Sequence, residues 1–328
     1  MGRFLARRFV TMVLLVFGIS VVSFVIIELP RGDFVSYHVL TLKAAGFEMA
    51  PEQVSNLRAQ FGLDKPWYHR YVRWIGGIVL RGDFGWSFIN NQPVSELIWG
   101  RVGLTALIAV LSVTFTLVIG VVIGIYSAVH HYSVSDYLFT ALGFLGLSIP
   151  NFLLALVLMW LGWSWFGITM GGLFSREFLH AEWSWARLWD LLTHLWVPVV
   201  VLGTAGTAGT MRVMRATTLD ELGKQYVVTA RAKGAPGMRV ITRHVFKVAI
   251  NPILSTIGWL LPAIFSGEAI VAIVLNLPTV GPLLFIALTT QDMFLAASLV
   301  FILSVLTVVG TLLSDIILAA VDHRIRYD

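Results

Sequence analysis

The chain has 328 residues, a formal net charge of +5 and no cysteine, and 57% of its residues are hydrophobic while only 12% are charged. Soluble domains carry about 25% charged residues, so this composition excludes a water-soluble fold and predicts an all-α integral membrane protein. Without cysteine, disulfides and thiolate metal sites are excluded. The positive charges lie beside apolar segments, where an orientation signal explains them more simply than a nucleic-acid partner does.

Six segments are apolar enough to span a membrane, which takes about 20 mostly apolar residues. They are residues 9–29, 102–129, 137–162, 194–218, 248–275 and 293–321. The first follows Arg3, Arg7 and Arg8 and is longer than the core of a cleaved signal peptide, so we expect it to be retained. An even number of spans puts both termini on one side, and the arginines near both termini predict that this side is cytoplasmic. The whole chain, 1–328, is then a single transmembrane domain.

With this orientation the long loop 30–101 lies outside, as does the loop 276–292, which has no lysine or arginine. Within the long loop, the apolar spacing after Pro51 and after Pro66 predicts two short amphipathic helices. Of the 12 tryptophans, all except Trp259 fall in or near the outer loops. Indole rings prefer the membrane–water interface, so this distribution supports the predicted orientation.

Two features place polar groups inside the predicted spans. In the fourth span, residues 203–210 read GTAGTAGT. Such small residues suit close helix packing, or else the wall of a translocation path that would include Thr204, Thr207 and Gly209. Glu268 is the only acidic residue well inside a central span, and the cost of a carboxylate in lipid predicts that it faces the bundle interior, a cavity or a partner, as a further residue of the translocation path. A structural ion pair, or a position near the outer end of the span, is the alternative.

A basic loop at 219–247 falls on the cytoplasmic side between the fourth and fifth spans. Its most informative stretch, extended to 223–252, reads GKQYVVTARAKGAPGMRVITRHVFKVAINP. Charged, helix-forming residues in such a loop favour a docking surface for a cytoplasmic partner, although positive-inside orientation alone accounts for the charges. The sequence has no Walker A motif, no H-E-x-x-H and no G-x-S-x-G, so no catalytic or metal-binding residue is predicted.

Five stretches carry a resemblance to a known family through their order and spacing. They are LRAQFGLDKPWYHRYVRWIGGIVLRGDFGWSF (57–88), LGLSIPNF (145–152), RVMRATTLDELGKQYVVTARAKG (212–234), TQDM (290–293) and DHRIRY (322–327). Together they resemble the B-type membrane permease subunit of the peptide/nickel family of ABC importers, nearly end to end. The resemblance implies a type I importer permease fold, in which a short coupling helix sits in a groove of an ATPase. The residues at the matching positions are Thr229, Ala230, Arg231, Ala232, Lys233 and Gly234.

The resemblance also implies the partners of this chain. They are a second related permease, two ATPases that bind ATP and Mg, an extracytoplasmic solute-binding protein and the membrane lipid, with no nucleic acid. The chain itself would hold no cofactor and catalyse no reaction. It would contribute to ATP-driven import by alternating access across a bacterial cytoplasmic membrane.

The substrate that the resemblance implies is a di- or oligopeptide, but the sequence departs from the family near the end of the fifth span. Ala272 stands where this branch commonly has Glu, and Glu268 lies four residues earlier on the same helix face. Because this region lies near where substrate enters, an oligosaccharide or opine-like substrate stays open. In the coupling loop, Val228-Thr229-Ala230 replaces the general Glu-Ala-Ala pattern, a departure that leaves the family assignment unchanged. From other classes, a secondary transporter with Glu268 as proton carrier and a membrane scaffold are the alternatives.

Overall fold

The computed structural model describes residues 2–30, 32–168, 170–179 and 181–321, and within them it leaves out the side chains of 2–7, 9, 257–259, 261–263, 265–268, 313–315 and 317–321. The helices are α1 (Gly2–Glu28), α2 (Phe34–Ala44), α3 (Pro51–Phe61), α4 (Trp67–Arg81), α5 (Val94–Val129), α6 (Val134–Ser148), α7 (Asn151–Phe166), α8 (Trp185–Leu222), α9 (Gln225–Ala232), α10 (Gly237–Val240), α11 (Phe246–Ala249), α12 (Asn251–Val274), α13 (Val280–Thr289) and α14 (Met293–Val321). A 3₁₀ turn covers Arg176–Phe178 and a π-helical turn covers Ile241–Val245. Strands β1 (Trp86–Ser87) and β2 (Gln92–Pro93) pair antiparallel.

Several of these helices are long and apolar enough to cross a membrane. Among the described residues, α5, α8, the Val10–Glu28 part of α1 and the Met293–Leu312 part of α14 pass this test singly. Helices α6 and α7 pass it together, with a bend of 107° between them, and make a fifth span if they are counted as one. The helical class is thereby confirmed, with four or five stretches apolar enough to cross a membrane among the described residues, whereas six spans and cytoplasmic termini stay predictions.

The bend between α6 and α7 falls where the chain reads Ser148-Ile149-Pro150. Proline has no amide hydrogen to donate, and it disfavours the helical conformation at the residue before it. Ile149 is accordingly extended, with φ −87° and ψ 120°, and α7 restarts directly after Pro150. A continuous apolar segment therefore folds as two helices that point in different directions.

The described residues divide into two compact units, of which the first comprises Met1–Thr105 with Thr279–Val308. Its aromatic centre joins α1 to α4, where Phe24 lies 5.5 Å from Tyr71 and 5.4 Å from Trp74 between ring centroids. The indole Nε1 of Trp74 donates to Ser298 Oγ at 3.0 Å, and that hydroxyl donates to the carbonyl of Phe84 at 3.1 Å. These hydrogen bonds satisfy buried polar groups and fix α4 against α14.

Asp292 connects the β-hairpin of the first unit to α14. Its carboxylate is fully buried and accepts hydrogen bonds from Ser87 Oγ at 2.7 Å and from the backbone amide of Ile89 at 3.2 Å. It also accepts from the amide of Leu295 at 3.4 Å, which caps the start of α14. Burial raises the pKa of Asp292, although these hydrogen bonds act in the opposite direction. One carboxylate thus holds the β-hairpin to the beginning of a long helix.

The second unit, Ala106–Pro278 with Val309–Asp328, is built around α8, which packs against α6, α7 and α12. Glycines allow two helices to approach α8 closely. A Cβ at Gly120 of α5 would lie 2.7 Å from Thr210 Cβ, and a Cβ at Gly124 would lie 2.7 Å from Met214 Cβ. On α6, a Cβ at Gly146 would lie 2.8 Å from Thr204 Cγ2. We call this contact of α8 residues 203–214 with α5 and α6 the small-residue seam.

Candidate functional site

The predicted coupling residues lie at the end of α9, in the second unit. Thr229, Ala230, Arg231 and Ala232 belong to the helix, Lys233 is its C-cap and Gly234 follows directly. The structure therefore brings all six together within one helical turn and its cap. A short helix with a defined end is the form that the sequence predicts for a docking element.

Gly234 ends α9 because it adopts a left-handed conformation, with φ +78°. Its amide donates to the carbonyl of Arg231 at 2.9 Å, and the amide of Ala235 donates to the carbonyl of Ala230 at 3.2 Å. These two bonds are those of a Schellman motif, in which glycine is preferred because a side chain is strained at positive φ. A Cβ at Gly234 would meet no described atom within 4 Å, so the requirement for glycine is conformational rather than steric.

One face of α9 is anchored in a hydrophobic cluster. Val227 is fully buried there with Met214 of α8 and Ile253 of α12. Ala230 is half-buried and packs against the same cluster. The cluster also receives Val240 and Val245 from the segment after α9. The anchor of α9 therefore connects the two long helices on either side of the loop.

The opposite face of α9 is open. Thr229, Arg231, Ala232 and Lys233 are exposed, and among the described side chains Arg231 and Lys233 have no acidic partner within salt-bridge distance. This face combines two cations with small residues that permit close approach. By charge and size it suits an acidic groove of a partner. We call these four residues the α9 face.

Sequence reasoning missed the contact that holds the end of α8 to α9. The hydroxyl of Tyr226 donates to the carboxylate of Glu221, across the turn at Gly223. Burial and this neighbouring carboxylate raise the pKa of Tyr226 to about 12. The phenol thus stays protonated at physiological pH and keeps its donor role. Its signal in the sequence, an acid five residues before a tyrosine, is too common to single out.

Of the residues proposed for a translocation path, Thr204 and Thr207 lie in the small-residue seam. Thr204 Oγ1 donates to the carbonyl of Val200 at 2.5 Å and Thr207 Oγ1 donates to that of Gly203 at 2.8 Å, so both hydroxyls bond within their own helix. A Cβ at Gly209 would meet no described atom within 4 Å. Close packing and the wall of a path therefore both stay predictions for residues 203–210. The side chain of Glu268 lies outside the described residues.

A buried ion pair was also missed. Asp136 is 2% exposed and accepts from Arg215 through both oxygens, at 2.9 Å from Nε and 2.7 Å from Nη2. The amide of Tyr132 donates to the same carboxylate at 3.0 Å. The pair fixes the start of α6 against α8, at one end of the small-residue seam. An acid at the edge of an apolar segment is its only sequence signal, because its partner lies 79 residues away.

No group of three His, Cys, Asp or Glu that could hold a metal ion occurs among the residues whose positions the structure describes.

Comparison with known proteins identifies two matching family models. The model described as binding-protein-dependent transport system inner membrane component matches residues 120–327, and its N-terminal companion matches residues 1–109. The oligopeptide transport system permease protein AppB of Bacillus subtilis is 35% identical, with 100% of both chains covered. The OppB protein of Mycobacterium tuberculosis, of the same description, is 31% identical over 99% of both. The dipeptide transport system permease protein DppB of Alkalihalophilus pseudofirmus is 28% identical over 98% of both. These matches confirm the resemblance drawn from the sequence motifs.

Proposed function

The chain belongs to the family of binding-protein-dependent transport system inner membrane components, and from that premise we propose that it forms the membrane path of an ABC importer for di- or oligopeptides. Family membership makes it a multi-pass inner-membrane protein and a transport component, not an enzyme. The substrate is proposed from the relatives, whose descriptions name oligopeptide and dipeptide transport. Their similarity extends over nearly the full length of each chain, which supports a shared role.

The proposed topology has six spans with both termini in the cytoplasm. The spans are α1, α5, the bent pair α6–α7, α8, α12 and α14. Helix α12 has 24 residues, which gives a length of about 36 Å, enough for a hydrocarbon core of about 30 Å. The arginines near both ends of the chain and the basic loop 219–247 then lie on the cytoplasmic side.

The proposed mechanism rests on the packing of α9 against the hydrophobic cluster between α8 and α12. In the complete importer, two ATPases would bind ATP and Mg, and one would receive the α9 face in a groove. Because Val227 and Ala230 pack against a cluster that includes Met214 of α8 and Ile253 of α12, a displacement of α9 reaches both helices. The Schellman motif at Gly234 keeps the anchored helix short, so that it moves as one piece.

Transport would then follow alternating access. Closure of the ATPases on ATP would push α9 and shift α8 and α12, which opens the path to the outside, and hydrolysis would reset it. A second related permease would complete the path, and an extracytoplasmic solute-binding protein would deliver the peptide. The bend at Ile149–Pro150 supports this scheme, since a broken span can change its angle with little loss of helical hydrogen bonds.

Purification of the tagged chain from its native membrane in a mild detergent tests the proposal. We expect a second permease and two ATPases to co-purify, and peptide with its binding protein to stimulate ATP hydrolysis after reconstitution into vesicles. Uptake driven by a proton gradient with the chain alone would instead support a secondary transporter. Stimulation by an oligosaccharide or an opine but not by peptides would keep the importer class and replace the substrate.

A further inference from the structure

An apolar groove runs between α6 and α8 within the second unit, with a volume of about 160 Å³. Its floor is formed where Gly143 meets Ala208 and Met211, since a Cβ at Gly143 would lie 2.9 Å from Met211 Cε. Phe144 and Leu147 line it further along α6, and both are exposed, at 53% and 43%. None of these side chains belongs to the hydrophobic cluster that anchors α9 or to the α9 face.

One end of the groove is polar. Tyr132 and Tyr137 line it from α6 and the turn before it, and Arg212 and Arg215 line it from α8. Arg215 is neutralised by Asp136 at 2.7 Å. Arg212 has no acidic partner within salt-bridge distance among the described side chains, and its guanidinium lies 5.4 Å from the ring centroid of Phe144. The polar end therefore carries one uncompensated positive charge directly above the apolar floor.

The dimensions of the groove fit a membrane lipid. Its lining extends along α6 from Asp136 to Leu147, a rise of about 16 Å, which matches the thickness of about 15 Å of half a bilayer's hydrocarbon core. Beyond Arg212, α8 continues for about 15 Å to Leu222 and the basic loop. In the proposed topology, which this placement uses, Arg212 lies near the depth of the cytoplasmic headgroups and the apolar floor points toward the bilayer centre.

From this arrangement we infer that the groove between α6 and α8 binds an anionic phospholipid. The phosphate lies against Arg212 with the phenols of Tyr132 and Tyr137 beside it, and one acyl chain lies along Phe144 and Leu147. Charge complementarity selects this occupant, since a basic end joined to an apolar trough matches a negative headgroup joined to an acyl chain. A zwitterionic lipid also has a phosphate, but its own ammonium group offsets that charge and weakens the attraction to Arg212. An apolar helix of a partner would leave the charge of Arg212 unpaired at an apolar surface.

Native mass spectrometry of the complex purified with the full-length chain tests this inference. The probes are phosphatidylglycerol and phosphatidylcholine with the same acyl chains. We expect several-fold preferential retention of phosphatidylglycerol, and a loss of about fivefold on Arg212→Gln, the factor that one basic residue near a membrane surface contributes. Arg212→Lys should keep most of the retention. Arg239→Gln is the matched control, because Arg239 is exposed in α10 and does not line the groove.

A second variant separates the apolar part of the site from its charge. Thr140 lines the groove and is half-buried, so Thr140→Trp should fill it and lower the retention of both lipids. Equal retention of the two lipids by the wild type would overturn the inference. So would wild-type retention of phosphatidylglycerol by both Arg212→Gln and Thr140→Trp.

The chain has no cysteine, so a single one can report what covers the groove. Leu147→Cys should react with a lipid-soluble maleimide in the assembled complex. Complete cross-linking of this cysteine to the second permease, through a photoreactive group attached to its thiol, would show that a protein helix occupies the groove and would overturn the lipid assignment. This readout is independent of transport, so failure of the lipid site and failure of the proposed importer function are distinguishable.

Discussion

The small-residue seam and the α9 face lie in the same unit but are built in opposite ways. In the seam, glycines of α5 and α6 meet α8 at distances where an added Cβ would lie under 3 Å from its neighbours. On α9, only Val227 is fully buried, while Thr229, Arg231, Ala232 and Lys233 are exposed. Side chains in the seam pack against neighbouring helices, whereas those of the α9 face are exposed and can contact a partner.

The comparison teaches how structural and functional roles can be separated in this chain. A change in the seam alters helix spacing and should lower stability whatever the transporter does. A change at Arg231 or Lys233 of the α9 face breaks no salt bridge with a described side chain, so its effect on transport should come with little effect on stability. Gly234 and Ala230 are intermediate between the seam and the α9 face. Gly234 ends α9, and Ala230 packs α9 against the hydrophobic cluster.

The largest expected effect is at the end of the seam, at Asp136. Asp136→Ala leaves the half-buried Arg215 without its bidentate partner, and the loss of its hydrogen bonds to a charged group costs about 3 kcal/mol of the free energy of unfolding. Thermal unfolding of the purified protein in detergent measures this loss. The double variant Asp136→Ala/Arg215→Met should recover most of the stability, because it removes the uncompensated charge. Equal stability of the single variant and the wild type would contradict the assignment of this pair.

A change inside the seam should cost somewhat less. Gly124→Ala places a Cβ 2.7 Å from Met214 Cβ and 2.8 Å from the carbonyl oxygen of Met211, so α5 and α8 must separate, at a cost of about 1–3 kcal/mol. Gly209→Ala is the matched control in the same helix pairing, because its Cβ would meet no described atom within 4 Å. Unfolding temperatures compare the two. If the Gly209 variant lost as much stability as the Gly124 variant, close approach would not explain the glycines of the seam.

The two regions were also unequally predictable from the sequence. The end of α9 was predictable because glycine after a short helical segment is a local signal, and Gly234 indeed has positive φ. Which face of α9 is buried was not, because that depends on Met214 and Ile253 from distant helices. The functional roles of the α9 residues and of Thr204, Thr207, Gly209 and Glu268 stay predictions.

Hydropathy located the apolar segments but carries no information on angles or on distant partners. The run 137–162 is continuously apolar, yet the chain bends by 107° at Ile149–Pro150. Helix α8 begins at Trp185, before the apolar part that starts at 194, because Ser184 caps it with its side chain. The partner of Asp136 is Arg215, which no local pattern connects to it.

A smaller effect on stability is expected at Gly234, the residue that ends α9. Gly234→Ala forces a side chain into left-handed backbone, which costs about 1–2 kcal/mol locally and should loosen the end of α9. We expect hydrogen exchange at the backbone amides of α9 and its cap, residues 225–235, to quicken and ATPase association to weaken. Gly237→Ala is the matched control, since Gly237 begins α10 without positive φ and has open space around it. Unchanged exchange in 225–235 would show that the cap does not hold α9.

The smallest effect on stability is expected on the α9 face itself, where the effect on coupling should be clear. Arg231→Glu with Lys233→Glu reverses two exposed charges that contact no acid among the described side chains, so the unfolding free energy should change by no more than about 0.5 kcal/mol per substitution. Repulsion from an acidic groove should nevertheless abolish ATPase association in a pull-down. Arg239→Glu with Arg243→Glu makes the same charge change elsewhere in the basic loop and should leave association largely intact. Loss of association in both double variants would mean that overall charge of the loop, rather than the α9 face, attracts the ATPase.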